Sequence, residues 1–109
     1  MSTRRNPGEE KIKKIILETL AQLGICVKRV ILFGSRAKGN FNKYSDYDLL
    51  IVTEKTFSVR EKMEISRKLR VALAEFVVDI IIKSEDEVNV QKDLIGTIVR
   101  EALKEGVHI

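Results

Sequence analysis

Three aspartates and one glycine–serine pair sit where chemistry would need them. Gly34-Ser35 directly follows the apolar run Val30-Ile31-Leu32-Phe33. Asp46 and Asp48 open the run Leu49-Leu50-Ile51-Val52, and Asp79 interrupts Val77-Val78-Asp79-Ile80-Ile81-Ile82. Residues two apart on a strand share a face, so Asp46 and Asp48 point one way and Tyr47 the other. Two carboxylates that close repel each other unless a cation lies between them. Oxygen-only donors in that arrangement favour Mg²⁺ or Mn²⁺. An ionised carboxylate among apolar neighbours is costly unless it is paired or metal-bound, which makes Asp79 a candidate third ligand. If its strand lies beside the second, three acids on two strands make a two-metal site. Such a site holds both the attacking and the leaving oxygen of a phosphoryl-type displacement.

Gly34-Ser35 supplies the complementary half. Glycine lets a backbone approach a phosphate closely, and the amides that follow it can donate to phosphate oxygens. The Ser35 hydroxyl adds a donor, and Arg36, Lys38 and Lys43 add positive charge. Each feature alone has a plainer reading. The Gly-Ser pair is an ordinary turn, Asp79 pairs with a nearby Arg or Lys, and Arg36 serves a surface ion pair. It is the combination at this spacing that favours the chemical reading.

Helices and strands must position these groups. Asn6-Pro7-Gly8-Glu9 starts a helix with a cap, a proline at the first helical position and a carboxylate at the third. Ile12, Ile15, Ile16, Leu20 and Leu23 continue it at helical spacing, and Gly24 ends it. Ser58 with Glu61 and Ser84 with Glu87 form two capping boxes. The first opens a helix marked by Val59, Met63, Leu69, Ala72, Leu73 and Phe76; a last helix carries Leu94, Ile95, Ile98, Ala102 and Leu103 and closes at Gly106. Gly96 argues against one continuous helix from Ser84. Three Val- and Ile-rich runs, 27–33, 47–53 and 76–82, read as strands. The second and third are apolar almost throughout, as in strands covered on both faces. The second strand, the helix and the third strand form a right-handed crossover with parallel strands. The short link between the first two strands makes them antiparallel, bringing Gly34 and Asp46 to one edge. The expected fold is α/β: a mixed sheet of three strands or slightly more, with helices packed on it.

The chain has 109 residues, 44% hydrophobic and 33% charged. That balance and size suit one domain spanning 1–109 with a single core. No apolar run is long enough to span a bilayer, and the start, MSTRRNPGEEK, lacks the apolar stretch of a signal peptide. Cys26 is the single cysteine, so neither an internal disulfide nor a cysteine-based zinc site can form, which fits a cytoplasmic protein. The net charge of +4 suits an anionic ligand. The charges are mixed and form no long basic block, which argues against nucleic acid as the partner.

Gly-Ser, ten residues, then Asp-x-Asp resembles the signature of the polymerase-beta-like nucleotidyltransferases. The fuller string, Gly34-Ser35-Arg36-Ala37-Lys38-Gly39 through Ser45-Asp46-Tyr47-Asp48-Leu49-Leu50-Ile51-Val52, resembles the minimal (MNT) members. Four fixed positions would match by chance with odds on the order of one in a thousand, so the string outweighs a lone glycine-rich loop. The resemblance implies the nucleotidyltransferase fold and transfer of a nucleotidyl group from a nucleoside triphosphate, with ATP the expected donor, to a hydroxyl. It implies that Gly34 and Ser35, with Arg36 beside them, hold the triphosphate. It further implies that Asp46, Asp48 and Asp79 bind Mg²⁺ and that Asp79 assists deprotonation of the acceptor. MNT proteins are often paired with a HEPN-type toxin, and some adenylylate a tyrosine of it. The implied function is therefore an antitoxin with a HEPN-type partner.

Two rivals stay open beside that reading: an antitoxin that masks its partner by binding alone, and a transferase acting on a small molecule such as an aminoglycoside. A homodimer is left open as well. Among the remaining residues, Tyr44 and Tyr47 offer rings for a base, although Tyr47 points away from the acids and suits the core. Ser45 suits a turn. His108 is expected at the surface, and Cys26 is expected as a small core residue.

Overall fold

The computed structural model describes residues 6–39 and 46–109. Lys43, Tyr44 and Ser45 lie outside them. Helix α1, Pro7–Gln22, starts where Asn6 Oδ1 accepts from the amides of Gly8 (2.9 Å) and Glu9 (3.2 Å), as the sequence led us to expect. Its buried stripe is Ile12, Ile16 and Leu20. Strand β1 is Val27–Phe33, the short helix α2 is Ser35–Lys38, and β2 is Tyr47–Thr53. Then come α3 (Val59–Ala72), β3 (Val78–Ser84), α4 (Glu85–Gln91), α5 (Ile98–Glu105) and β4 (Val107–His108).

The sheet order is β3-β2-β1-β4. β1 runs antiparallel to β2, and β2 runs parallel to β3 across the α3 crossover, both as expected. β4 adds a fourth, antiparallel strand beside Ile31 and Leu32. The result is a mixed α/β sheet with one apolar layer on each face. One layer joins Ile12, Ile16 and Leu20 of α1 and Leu69 of α3 to Leu32, Leu49, Ile51 and Ile80. The other joins Val88 of α4 and Val99 and Ala102 of α5 to Ile31, Leu50 and Val52.

β2 is covered on both faces, as its apolar run requires. β3 corrects the expectation. It is an edge strand whose Asp79 is exposed and whose Ile81 is only half-buried. It also begins two residues later than the apolar run. Phe76 falls in the turn before it and packs edge-on against Tyr47, centroids 5.7 Å apart. Val59 and Met63 are exposed, so the core stripe of α3 is Ile65, Leu69 and the capping Leu73 instead. Leu94 and Ile95 likewise lie outside the last helix and are exposed, because Thr97 caps it at Ile98 and Gly96 (φ 88°) precedes the cap. Cys26 is exposed rather than in the core; it precedes the ladder, and the neighbouring Glu54 pushes its thiol pKa up. Among the described residues no helix is long and apolar enough to cross a membrane.

Ser84 ties three segments together. Its hydroxyl accepts from Thr56 Oγ1 (2.7 Å) and from the Glu87 amide (3.1 Å), while its own amide donates to Glu87 Oε1 (2.9 Å). Glu87 also accepts from Lys62 Nζ of α3 (2.6 Å). Burial pushes the Glu87 carboxyl up, but Lys62 and the Ser84 amide outweigh it and hold its pKa below the ordinary value. That stabilisation is complete above the unfolded pKa and is lost as pH falls through the folded one. Ser84→Ala removes the cap and the acceptor for Thr56. It is expected to lower stability by about 1–2 kcal/mol, a fall in Tm of roughly 4–16 °C readable by thermal unfolding. An unchanged Tm would show that the junction holds without the hydroxyl.

Candidate active site

The parallel register sets Asp48 of β2 directly beside Asp79 of β3. In-register neighbours of adjacent strands share a face, and Asp46, two residues before Asp48, shares it too. This is the face carrying α4 and α5, at its open corner: Asp46 and Asp79 are exposed and Asp48 is half-buried. Sequence reasoning placed Asp79 among apolar neighbours, where burial would demand a counter-charge. The edge position removes that demand, and the register alone brings Asp79 to Asp48. Asp79 also has the ion-pair partner of its plainer reading: Arg70 of α3, with Nη2 3.8 Å from Oδ1, at the long end of a salt bridge and too long for a hydrogen bond.

Gly34 completes the corner. β1 pairs Phe33 with Asp48, so the chain leaves β1 against the Asp48 side chain. Gly34 has φ 74° and ψ −157°, a conformation essentially reserved for glycine. A Cβ built on it would overlap Asp48 Oδ2. The carbonyl of Gly34 accepts from the amides of Ala37 (3.1 Å) and Lys38 (3.2 Å), closing α2 as a single turn. The Ser35 amide, at the first position of that turn, points out of it.

The electrostatics follow from this crowding. The Asp48 carboxyl pKa is raised, first by partial burial, then by the negative charges of Asp79, Asp46 and Glu101. Glu101, on α5, is an acid that sequence reasoning missed; no motif marks it, since tertiary packing alone brings it near. Glu105 of α5 also reaches the turn, pairing with Lys38 at 3.0 Å at the surface and raising the Lys38 pKa. Arg36 turns the other way. Its guanidinium lies 4.1 Å from the Tyr47 ring centroid and Nη1 donates to the Tyr47 hydroxyl at 3.1 Å, on the face opposite the acids. Tyr47 is buried there, as expected.

The donor set is hard oxygen, which fits Mg²⁺ or Mn²⁺. Among the described residues, no three His, Cys, Asp or Glu side chains form a ready-made metal cage. The crowding that raises the Asp48 pKa is the kind that a bound cation relieves.

The family of proteins described as "Nucleotidyltransferase domain" matches residues 10–107. A Methanocaldococcus jannaschii protein named "Putative protein adenylyltransferase MJ0604" is 31% identical over 98 residues, covering 90% of this chain and 93% of its own. A crystal structure of a "putative nucleotidyltransferase from Sulfolobus solfataricus" superposes with TM-score 0.60 at 27% identity, covering 99% of this chain and 90% of that one. A chain of the complex between a tri-AMPylated Shewanella oneidensis HEPN toxin and MNT antitoxin shares the fold with TM-score 0.54 at 21% identity, covering 93% and 67%. The matched span reaches from α1 to β4 and contains the glycine turn and all three aspartates, so the chain belongs to the nucleotidyltransferase domain family and is a nucleotidyltransferase.

Proposed function

We propose that this protein transfers an adenylyl group from ATP to a tyrosine hydroxyl of a HEPN-type toxin and so acts as its antitoxin. The observation that carries the chemistry is the corner where Gly34 lies against Asp48 and Asp48 lies in register with Asp79. The names of the M. jannaschii and S. oneidensis relatives support the acceptor class. Gly34 and Ser35 receive the triphosphate: the glycine lets phosphate approach the backbone, and the Ser35 amide and hydroxyl donate to it. Asp46, Asp48 and Asp79 hold Mg²⁺. When bound, the metal offsets charge on the α-phosphate and on the attacking and leaving oxygens. Asp79, with Asp46 the most exposed of the three, takes the hydroxyl proton as oxygen attacks the α-phosphorus and pyrophosphate leaves. Arg36 acts from behind: its stack on Tyr47 fixes α2, and with it the phosphate turn.

The test is transfer of radiolabel from ATP to a co-expressed HEPN-type partner, run beside neutralisation of that partner's toxicity. The Asp46→Asn, Asp48→Asn double variant is expected to lose both. Undiminished labelling would refute the enzymatic assignment. Full neutralisation without labelling would favour masking by binding alone.

A further inference from the structure

β3 leaves one edge of the sheet without a neighbour among the described residues. The Val77 carbonyl accepts from the Tyr47 amide at 2.9 Å, which fixes the phase of the strand. By alternation, the backbone groups of Asp79, Ile81 and Lys83 face β2, and those of Val78, Ile80 and Ile82 face outward. Ser84 follows the same phase, and its outward amide is the one taken by Glu87. Natural edges are usually blunted by proline, a bulge or a cover. This one is seven residues long, regular in register and centred on three isoleucines.

Beside it lies a groove of about 640 Å³ lined by Ile80 and Ile82 of the edge and by Val59, Met63, Ser66 and Arg70 of α3. These four α3 residues recur at i, i+4, i+7 and i+11, a single helical stripe. Val59 and Met63 are 75% and 68% exposed. The helix thus carries a second, exposed stripe next to its buried one, apolar at Val59 and Met63 and polar at Ser66 and Arg70, and that stripe borders the open edge.

We infer that the occupant of this edge is a second copy of the chain, added antiparallel with its dyad at Ile81. Charge complementarity selects both partner and register. With Ile81 opposite itself, Ile80 and Ile82 of the two copies exchange the outward amide–carbonyl bonds, and Asp79 stands opposite Lys83 of the other copy, twice per dimer. The non-hydrogen-bonded pairs, whose side chains approach most closely, are then Asp79–Lys83 and Ile81–Ile81. The registers centred on Ile80 or Ile82 instead face Asp79 or Lys83 with isoleucine. The same dyad brings the two α3 stripes together over the edge. A two-fold contact of this kind is closed, so it gives a dimer and no filament.

Sedimentation equilibrium of the nucleotide-free protein tests this independently of the transferase reading. A dimer is expected at micromolar concentration. Met63→Glu and Lys83→Asp, both at positions outside the core, are each expected to weaken it by about tenfold or more, with unchanged circular dichroism. The double variant Asp79→Lys, Lys83→Asp restores opposite charges and is expected to recover the dimer. A monomer at every concentration, a dimer indifferent to either single substitution, or a double variant no better than Lys83→Asp would overturn the proposal.

Discussion

Replacing Gly34 by alanine is expected to cost the protein both stability and nucleotide binding. The conformation at φ 74° and ψ −157° is denied to residues with a Cβ, at a cost of order 1–3 kcal/mol. The added methyl also meets the Asp48 carboxylate, so either the turn or the acid must move. Together we expect a loss of about 3 kcal/mol, a fall in Tm of roughly 10 °C or more. ATP affinity should drop about tenfold or more, because the turn that moves is the one presenting the Ser35 amide. Thermal unfolding and calorimetric titration with ATP check the two parts separately. A Tm within a couple of degrees of the parent would mean that Asp48 swings aside at little cost.

Asp48→Asn separates activity from stability. It is expected to lower adenylyl transfer by on the order of a thousandfold, about 4 kcal/mol of barrier. The same change should stabilise the metal-free protein. Partial burial and the charges of Asp79, Asp46 and Glu101 hold the Asp48 carboxyl pKa above its ordinary value. The folded state therefore keeps this proton over a pH range in which the unfolded chain has released it. Stability falls as pH rises through that range and stays lower above it. Asparagine removes the repulsion with Asp79, a like-charge cross-strand pair, for a gain of roughly 0.5 kcal/mol or a Tm rise of about 2–4 °C at neutral pH. Mg²⁺ with ATP should reverse the order by stabilising the parent and leaving the variant almost unchanged. Equal stabilisation of both by Mg²⁺ and ATP would remove Asp48 from the metal site.

Much of this arrangement is legible in the sequence because local chemistry dictates it. Asn6-Pro7, Ser58-Glu61 and Ser84-Glu87 each carry their own capping partners, and three Val- and Ile-rich runs are strands wherever the chain places them. The Gly-Ser and Asp-x-Asp spacing works for a similar reason: an antiparallel pair joined by a short link must bring its ends together. The misses are matters of position within the whole. A run such as Val77–Ile82 does not say that its strand lies at an edge, and this is what exposes Asp79. Helical spacing marks Val59 and Met63 as apolar but not which apolar stripe meets the core. β4 has two residues and exists only because β1 offers it a ladder, and Glu101 reaches Asp48 only because α5 packs where it does.

The attachment of α5 and β4 has a consequence for the order in which the molecule assembles and opens. β1, β2 and β3 join segments that follow one another closely, so they can zip with little loop closure. The pairing of Ile31 with His108 must instead close most of the chain into a ring, and β4 itself is held by two residue pairs and the Ile109 amide on the Val30 carbonyl, whereas α5 is anchored by the buried Val99 and Ala102. β4 is therefore expected to close late and to fray before the buried face of α5 does. When it frays, the sheet and the three aspartates stay in place. What loosens is the end of α5, and with it the Lys38–Glu105 pair beside the Gly34 turn.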